Sequence, residues 1–168
     1  MQSHFELFGL PPRYEIEAER LEHSYRDIQS KVHPDRFAHA GDAERRASLQ
    51  WTTRVNEAYR TLKDPVQRAK HLLELHGVDV AFETNTAMPQ DFLMQQMELR
   101  EALEDAKSAD ALDALRNNLL REKTDLEKQI AQAIDANKDY PGAAGLVRKL
   151  QFLDRLDEEI DAAYEEIE

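Results

Sequence analysis

The residues of this chain that are best suited to chemistry lie together in one short stretch, KVHPDRF at residues 31–37. One interpretation is an enzyme site in which His33 acts as a general base and Asp35 orients its ring. Two features argue against this interpretation: the stretch specifies no nucleophile, and residues on either side of a rigid proline point apart. We therefore expect no catalytic residues here and a chain that is not an enzyme.

A metal site is the second interpretation, with His33, His39 and Asp35 as ligands. Their spacing matches no common metal motif, and the pair His71 and His76 fits no better. The third interpretation is an ordinary turn between two helices, which is the usual role of a bare His-Pro-Asp tripeptide. The tripeptide alone therefore assigns no function, and its neighbours along the chain must decide between these interpretations.

The segment before the turn has the pattern of an amphipathic helix, predicted over about residues 17–32. Its apolar residues recur at helical spacing on one face: Leu21, Tyr25, Ile28 and Val32. Pro34 restricts His33 to extended geometry, and this restriction ends the helix. The sequence therefore predicts that the turn lies directly at the end of a helix.

A third helix is predicted on the other side of the turn, after a loop. It should begin after Asp42, as its N-cap, and run to about Lys63. Its inward-facing residues are Val55, Ala58, Tyr59 and Leu62. Asp64 and Pro65 are typical of an N-cap followed by a first-turn proline, which indicates a fourth helix that ends at Gly77.

The chain begins with a short predicted helix, SHFELFG at residues 3–9, which would bury Phe5 and Phe8 and end at Gly9. No basic segment followed by an apolar run precedes it, so we expect no signal peptide. We expect no membrane-spanning segment either, because no run of about 18 apolar residues occurs. The 168 residues include no cysteine, which fits a reducing, cytoplasmic environment.

The charge of the chain is distributed unevenly between its two halves. The net charge is −12, and residues 1–76 contain 12 basic and 12 acidic residues, whereas residues 77–168 contain 10 basic and 22 acidic residues. Two parts with different partners would explain this difference. Because nucleic acids bind to basic surfaces, the acidic half argues against a nucleic acid as its ligand.

The second half has the pattern of three more helices. Residues 77–88 lack a clear period and are interpreted as a connector, and helices are predicted over about 89–107, 108–137 and 141 to near the C-terminus. Each predicted helix starts at a favourable residue: Pro89, Ser108 and Pro141. The last has a seven-residue apolar repeat: Leu146, Leu153, Ile160 and Ile167. This pattern favours a three-helix bundle.

The predicted helix at 89–107 has two apolar faces. One face would pack inward through Phe92, Leu99, Leu103 and Ala106. The other carries Leu93, Met94 and Met97 beside four acidic residues, Glu98, Glu101, Glu104 and Asp105. A methionine-rich apolar surface with an acidic rim suits partner binding. The alternative is that the helix lies between two others and buries both faces.

Three segments occur in the order and spacing of a J-domain, the module with which co-chaperones stimulate the ATPase of a DnaK-class chaperone. They are HFELFGLP at the start, HPDRF after the second helix, and VNEAYRTLKDPVQRA in the third and fourth helices. The resemblance implies an antiparallel helical hairpin with flanking short helices. In the family, the His-Pro-Asp turn makes the chaperone hydrolyse ATP, and the resemblance implies this role for His33, Pro34 and Asp35.

The J-domain family also uses the basic face of the second helix. The resemblance implies a chaperone-binding role for three basic residues near the turn: Arg26, Lys31 and Arg36. Acidic residues, among them Glu22 and Asp27, dilute this face here. The alternative for each of these side chains is simple solvation.

The second half extends the resemblance to HscB-type co-chaperones of iron–sulfur cluster assembly. The segments that carry it are FLMQQMELREALED, VRKLQFLDRLDEEI, GLPPRY and RAKHLLELHG. The resemblance implies an all-α, L-shaped protein of two domains. The two domains are a J-domain at residues 1–76 and a three-helix bundle at 89–168, and residues 77–88 form a connector between them.

In that family the C-terminal bundle binds the scaffold protein IscU and delivers it to the chaperone HscA. The resemblance places the scaffold-binding positions at Leu93, Met94, Met97, Glu98, Glu101, Asp105 and Phe152. Asp105 stands where a glutamate is expected, and Phe152 lies at the edge of an apolar stripe, either half exposed or in the core. Because the chain has no thiolate, we expect it to bind the scaffold and to hold no cluster or other cofactor.

A second hypothesis keeps the J-domain but makes the acidic bundle a general chaperone for unfolded or basic segments. The two hypotheses differ in what the second half binds, which is one folded scaffold in the first and many extended peptides in the second. Sequence alone leaves this alternative open.

Overall fold

The structure of the chain is a computed structural model that describes residues 3–80 and 90–167. All regular elements within these two ranges are helical, which confirms the predicted all-α fold class. The chain divides into two compact units, residues 1–75 and residues 76–168. Each unit has its own apolar core.

The first unit contains four α-helices and one short turn of 3₁₀ helix. The α-helices are α1 (His4–Leu7), α2 (Ala18–Val32), α3 (Asp42–Lys63) and α4 (Pro65–Leu75), and the 3₁₀ turn Pro34–Phe37 joins α2 to α3. The two long helices α2 and α3 pack against each other, and α1 and α4 both pack against α3. The predicted helical hairpin with flanking short helices is therefore present.

The core of the first unit forms where these helices meet. Its fully buried side chains include Phe5, Val55, Ala58, Leu62, Leu72 and Leu73. Phe5 and Phe8 are both buried, as the sequence predicts. Ser3 caps α1 by accepting the backbone N–H of Glu6 at 3.1 Å. Burial of these apolar side chains stabilises the packing of the unit, including the two long helices that the 3₁₀ turn connects.

Local sequence signals set most of the helix ends in this unit. Asp64 accepts the backbone N–H of Val66 at 3.0 Å, which confirms its predicted capping role. Gly77 follows α4 with a φ of +74°, a value that glycine adopts without strain. The prediction that Asp42 caps α3 is wrong, because Gly41 is the N-cap and Asp42 is the first helical residue. The Asp42 carboxylate pairs instead with Arg45.

Two histidines join the N-terminal helix to α4. The rings of His4 and His71 stack with centroids 4.3 Å apart. The backbone N–H of His4 donates to Nε2 of His71 at 3.2 Å, so this nitrogen must be unprotonated. Burial lowers the pKa of His71 to about 4, with a smaller contribution from the neighbouring His4. Burial also lowers the pKa of His4.

These histidines should make the first unit less stable in mild acid. Unfolded His71 gains a proton near pH 6.5, whereas the folded form resists protonation until about pH 4. Its contribution to stability is therefore complete above pH 6.5 and is lost progressively as the pH falls to about 4. Because the ring is half exposed, solvent screening should limit the loss to about 1–2 kcal/mol.

The measurement is the urea midpoint of the wild-type protein and of His71→Gln between pH 7.5 and pH 4. Glutamine can still accept the His4 N–H but does not titrate, so the variant should lose less stability in acid. His39→Gln is the matched control, because His39 is exposed on the surface. Equal pH dependence in the wild-type protein and His71→Gln would contradict the assignment.

The second unit contains three long α-helices: α5 (Gln90–Asp105), α6 (Ala109–Ala131) and α7 (Tyr140–Ile167). Contacts join all three pairs of these helices, most extensively α6 and α7, which agrees with the predicted three-helix bundle. Ser108 caps α6 by accepting the N–H of Ala111 at 3.1 Å, as predicted. The predicted helix start at Pro89 and most of the predicted connector, residues 81–88, lie outside the described residues.

The end of α6 differs from the prediction of a regular helix to about Asn137. A π-helical turn, Gln132–Ala136, replaces its last part, and the N–H of Asn137 donates to the carbonyl of Gln132 at 2.9 Å. Lys138 then adopts a φ of +55°, which reverses the chain into α7. The wide turn keeps Ile134 in the core while the chain changes direction.

The bundle core lies mainly between α6 and α7. Its most buried side chains are Leu112, Leu119, Ile130, Leu150, Leu153, Leu156 and Ile160. The predicted seven-residue repeat holds only in part, because Leu146 is half-buried and Ile167 is exposed at the end of α7. Ion pairs bridge α6 and α7 beside this core, with Arg116 bound to Asp157 at 3.0 Å.

Candidate functional site: a His-Pro-Asp turn and an exposed face of the bundle

The backbone of the His-Pro-Asp turn (His33, Pro34 and Asp35) is fixed where it leaves α2. His33 has a φ of −57° and a ψ of 136°, which confirms the extended geometry predicted from Pro34. Its N–H still donates to the carbonyl of Gln29 at 2.9 Å, as in the last turn of a helix. Its own carbonyl accepts the N–H of Arg36 at 3.0 Å, so the turn closes on itself.

The side chain of His33 stabilises the turn. Its Nδ1 accepts the backbone N–H of Asp35 at 3.2 Å, so the neutral ring carries its proton on Nε2. The Asp35 carboxylate lies 3.6 Å from Nδ1, and the Asp35 side chain is 93% exposed. The turn therefore has a carboxylate that another molecule can reach.

The geometry does not support an enzyme site here. Asp35 holds the imidazole through its backbone N–H, not through its carboxylate. The hydroxyls of Ser30 and Ser48, the serines that flank the turn, donate to backbone carbonyls. Within the described ranges, no group of three or more His, Asp and Glu side chains comes together to hold a metal ion.

The predicted basic residues lie near the turn, and each has an internal partner. Arg26 pairs with Glu22 at 2.7 Å. Lys31 pairs with Asp27 at 3.1 Å. Both basic side chains are largely exposed, so these pairs are weak and can exchange for a partner's acidic groups. Each pair links residues four apart on α2, so the acidic residues that dilute the basic face in the sequence lie directly beside its basic residues.

Helix α3 supports the turn through side chains that no sequence motif marks. The hydroxyls of Ser48 and Thr52 donate to the carbonyl of Val32, at 2.5 Å and 3.2 Å. Further along α2, the rings of Tyr25 and Tyr59 stack with centroids 4.0 Å apart. Sequence reasoning missed Ser48 and Thr52 because their partner lies 16 and 20 residues away.

The second predicted surface lies on α5. Leu93, Met94 and Met97 are 43%, 54% and 65% exposed, whereas Phe92 is only 2% exposed. The alternative in which both faces of this helix are buried is therefore wrong. The inward face is looser than predicted, because Leu99 and its neighbours Leu103 and Ala106 are only half-buried. We call Leu93, Met94 and Met97 the α5 patch.

The acidic residues predicted beside the α5 patch are exposed: Glu98, Glu101, Glu104 and Asp105. Phe152 on α7 is half-buried and makes an edge-to-face contact with Phe92, with ring centroids 5.7 Å apart. Arg100 covers the Phe152 ring at 5.4 Å and pairs with Glu159 at 2.9 Å. The structure thus joins Phe152 to α5 through Phe92 and through Arg100, which sequence reasoning missed.

None of the helices among the described residues is long and apolar enough to cross a membrane.

Comparison with known proteins identifies the family. Residues 88–161 match the family model described as the HSCB C-terminal oligomerisation domain. The chain is 49% identical over 170 residues to the co-chaperone protein HscB homolog of Azoarcus sp. (strain BH72), with 99% of this chain and 96% of that protein covered. It is 52% identical over 169 residues to the homolog of Burkholderia mallei (strain SAVP1), with the same coverage.

Solved structures agree with this match. Chaperone HscB from Vibrio cholerae has a TM-score of 0.88 and 36% identity, covering 99% of this chain and 100% of that one. Human co-chaperone protein HscB has a TM-score of 0.93 and 27% identity, covering 96% of this chain and 82% of that one. The chain belongs to the HscB family of co-chaperones.

Proposed function

We propose that this chain is a two-part adaptor of iron–sulfur cluster maturation in the cytoplasm. The His-Pro-Asp turn stimulates the ATPase of the DnaK-class chaperone HscA, and the α5 patch binds the scaffold protein IscU. The chain contributes no catalytic residue and no cofactor of its own. The observation that carries the proposal is the presence of both surfaces in one chain of this family, each exposed on its own compact unit.

The geometry of the turn supports the chaperone-binding role. Pro34 and the three hydrogen bonds of His33 hold the turn rigid, so little conformational entropy is lost when a partner binds. The Asp35 carboxylate is exposed and can pair with a cationic group of the chaperone. Arg26 and Lys31 lie on the adjoining helix, where their weak pairs with Glu22 and Asp27 can exchange for acidic groups of the chaperone. The ATP chemistry belongs to the chaperone.

The α5 patch supports the scaffold-binding role. Three exposed apolar side chains lie close together on one helix face, and such a cluster is typical of a surface that binds a partner. Methionine side chains are flexible and adapt to a partner surface. The acidic residues Glu98, Glu101 and Asp105 beside the patch favour a partner whose apolar contact surface is bordered by Lys or Arg. Phe152, half-buried beside Arg100, provides an aromatic contact at the neighbouring helix.

The second hypothesis, a general chaperone for unfolded or basic segments, is favoured by the acidity of the second half alone. The α5 patch favours one folded partner, because its three apolar side chains lie close together on one regular helix. A bundle that bound many extended peptides should bind unrelated basic peptides as tightly as it binds IscU.

The decisive experiment measures ATP turnover by HscA with this protein, in the presence and absence of IscU. We expect the protein alone to raise turnover and IscU to raise it further, because the adaptor brings both to one complex. An ATPase rate that this protein leaves unchanged would overturn the chaperone role. Stimulation that IscU does not alter, together with no direct IscU binding, would overturn the scaffold role.

The two roles should separate with the two units. A fragment of residues 1–76 should fold, because the core around Phe5 and Leu62 lies entirely within it. It should still stimulate the chaperone ATPase weakly, since it retains the turn, but it should not bind IscU. Circular dichroism, ATP turnover and calorimetric titration with IscU are the measurements. Binding of IscU by this fragment would refute the division.

A further inference from the structure

The carbonyl of Val32 is the last one of α2, where helical carbonyls have no partner within the helix. It accepts two hydroxyls from α3, Ser48 at 2.5 Å and Thr52 at 3.2 Å. Ser48 is only 3% exposed, so its hydroxyl is held where water hardly reaches. A buried hydroxyl needs such a partner, and satisfaction of Ser48 alone would be an ordinary structural role.

The position of this carbonyl links the two hydroxyls of α3 to the His-Pro-Asp turn. The Val32 carbonyl and the His33 N–H belong to the same planar peptide unit. The N–H donates to Gln29 at 2.9 Å, and the carbonyl accepts Ser48 and Thr52 on the other side. Both polar ends of the unit are therefore fixed, one by α2 and one by α3, so the plane from which His33 departs has little freedom to rotate.

Arg36 fixes the same helix end from the far side of the turn. Its guanidinium donates from Nη1 to the carbonyl of Ser30 at 3.1 Å. The residues after the Val32–His33 peptide plane are also fixed, because the His33 ring accepts the Asp35 N–H at 3.2 Å. The orientation of the exposed Asp35 carboxylate thus depends on the Val32–His33 peptide plane.

We propose that Ser48 and Thr52 are positioning residues for chaperone stimulation. They fix the peptide plane that leads into the His-Pro-Asp turn and so set the direction in which His33 and Asp35 face the chaperone. Neither hydroxyl needs to touch the chaperone. This inference rests on the proposed function of the turn.

The test uses the full chain with the double substitution Ser48→Ala and Thr52→Val, which removes both hydroxyls and keeps nearly the same volume. Maximal stimulation of HscA should fall about fivefold, the effect of losing about one neutral hydrogen bond. The concentration of protein that gives half-maximal stimulation should change less, because the exposed basic residues of α2 remain. The backbone amide of Asp35 should exchange its hydrogen faster in the variant. Thr52→Ser alone, which keeps a hydroxyl, should retain the wild-type stimulation and the wild-type exchange rate of the Asp35 amide.

Two control variants separate positioning from general stability. Ser3→Ala removes another buried serine that caps α1 in the same unit, away from the turn. Thr53→Val removes a hydroxyl that donates to Leu49 within α3. Both should leave stimulation and the exchange of the Asp35 amide at wild-type values.

The inference is wrong if the double variant stimulates as the wild-type protein does. It is also wrong if stimulation falls only as far as it falls in Ser3→Ala at equal loss of stability. Failure of the wild-type protein to stimulate HscA would instead refute the proposed function. The positioning claim would then be judged on the Asp35 amide, and an unchanged exchange rate in the double variant would refute it.

Discussion

His33→Gln should abolish stimulation of the chaperone ATPase, with a decrease of at least about tenfold, the cost of roughly 1.4 kcal/mol or more at the contact. The His33 ring accepts the Asp35 N–H through Nδ1, and its side chain is 45% exposed. Glutamine lacks the rigid ring that joins this acceptor to an Nε2 donor, so it cannot reproduce both groups in the same places. The acceptor for the Asp35 N–H and the donor at Nε2 would therefore no longer be held at a fixed distance from each other.

The same substitution should hardly affect folding. His33 lies between α2 and the 3₁₀ turn and belongs to no buried cluster, so the free energy of unfolding should change by less than about 0.5–1 kcal/mol. ATP turnover of HscA and thermal melting should be measured on the same preparation. His39→Gln provides the control, because it makes the same chemical change four residues beyond Asp35 at an exposed position. Unchanged stimulation by His33→Gln, with an unchanged melting curve, would refute the J-domain role of the turn.

Helix boundaries that depend on local chemistry were predictable from the sequence. Pro34 ends α2, Asp64 caps α4 and Ser108 caps α6, and each acts on residues fewer than four positions away. A backbone rule or a side chain that reaches its own neighbours needs no knowledge of the fold. The predicted cap at Asp42 is wrong by one residue, because Gly41 occupies the cap position and the Asp42 carboxylate, one residue further on, pairs with Arg45.

Features that depend on distant partners were not predictable. Ser48 and Thr52 gain their roles only because α3 packs beside the end of α2. Arg100 is an ordinary helix residue in the sequence, and its contact with Phe152 exists only once α5 lies against α7. The exposure of Ile167 likewise follows from where the neighbouring helices end, because a seven-residue repeat does not specify how much of a helix is covered.

The α5 patch lies between these two cases. The helical wheel separates Leu93, Met94 and Met97 from the inward face around Phe92, and the structure confirms that separation. The wheel could not decide whether a further helix covers the second face. That question depends on how many helices surround α5, and α6 and α7 are the two helices that pack against it most.

The triple substitution of the α5 patch, Leu93→Ala, Met94→Ala and Met97→Ala, should greatly weaken IscU binding. Apolar anchors at an interface cost upward of about 1 kcal/mol each on truncation, which is about fivefold in affinity per residue. Three anchors together should weaken binding by about a hundredfold, provided that neighbouring effects are nearly additive. Calorimetric titration of IscU with the wild-type and triple-alanine proteins measures this change directly.

Folding should be nearly unaffected by the same three changes, and this contrast makes the prediction informative. The side chains are 43–65% exposed, so their truncation leaves no enclosed cavity, and alanine favours the helix. Buried residues of this size would each cost about 2–5 kcal/mol of folding stability, which urea midpoints detect easily. Leu120→Ala is the matched control, because Leu120 is 48% exposed on α6, in the same unit. Normal IscU binding by a triple-alanine protein that unfolds early would show that the α5 patch supports the bundle and that the scaffold binds elsewhere.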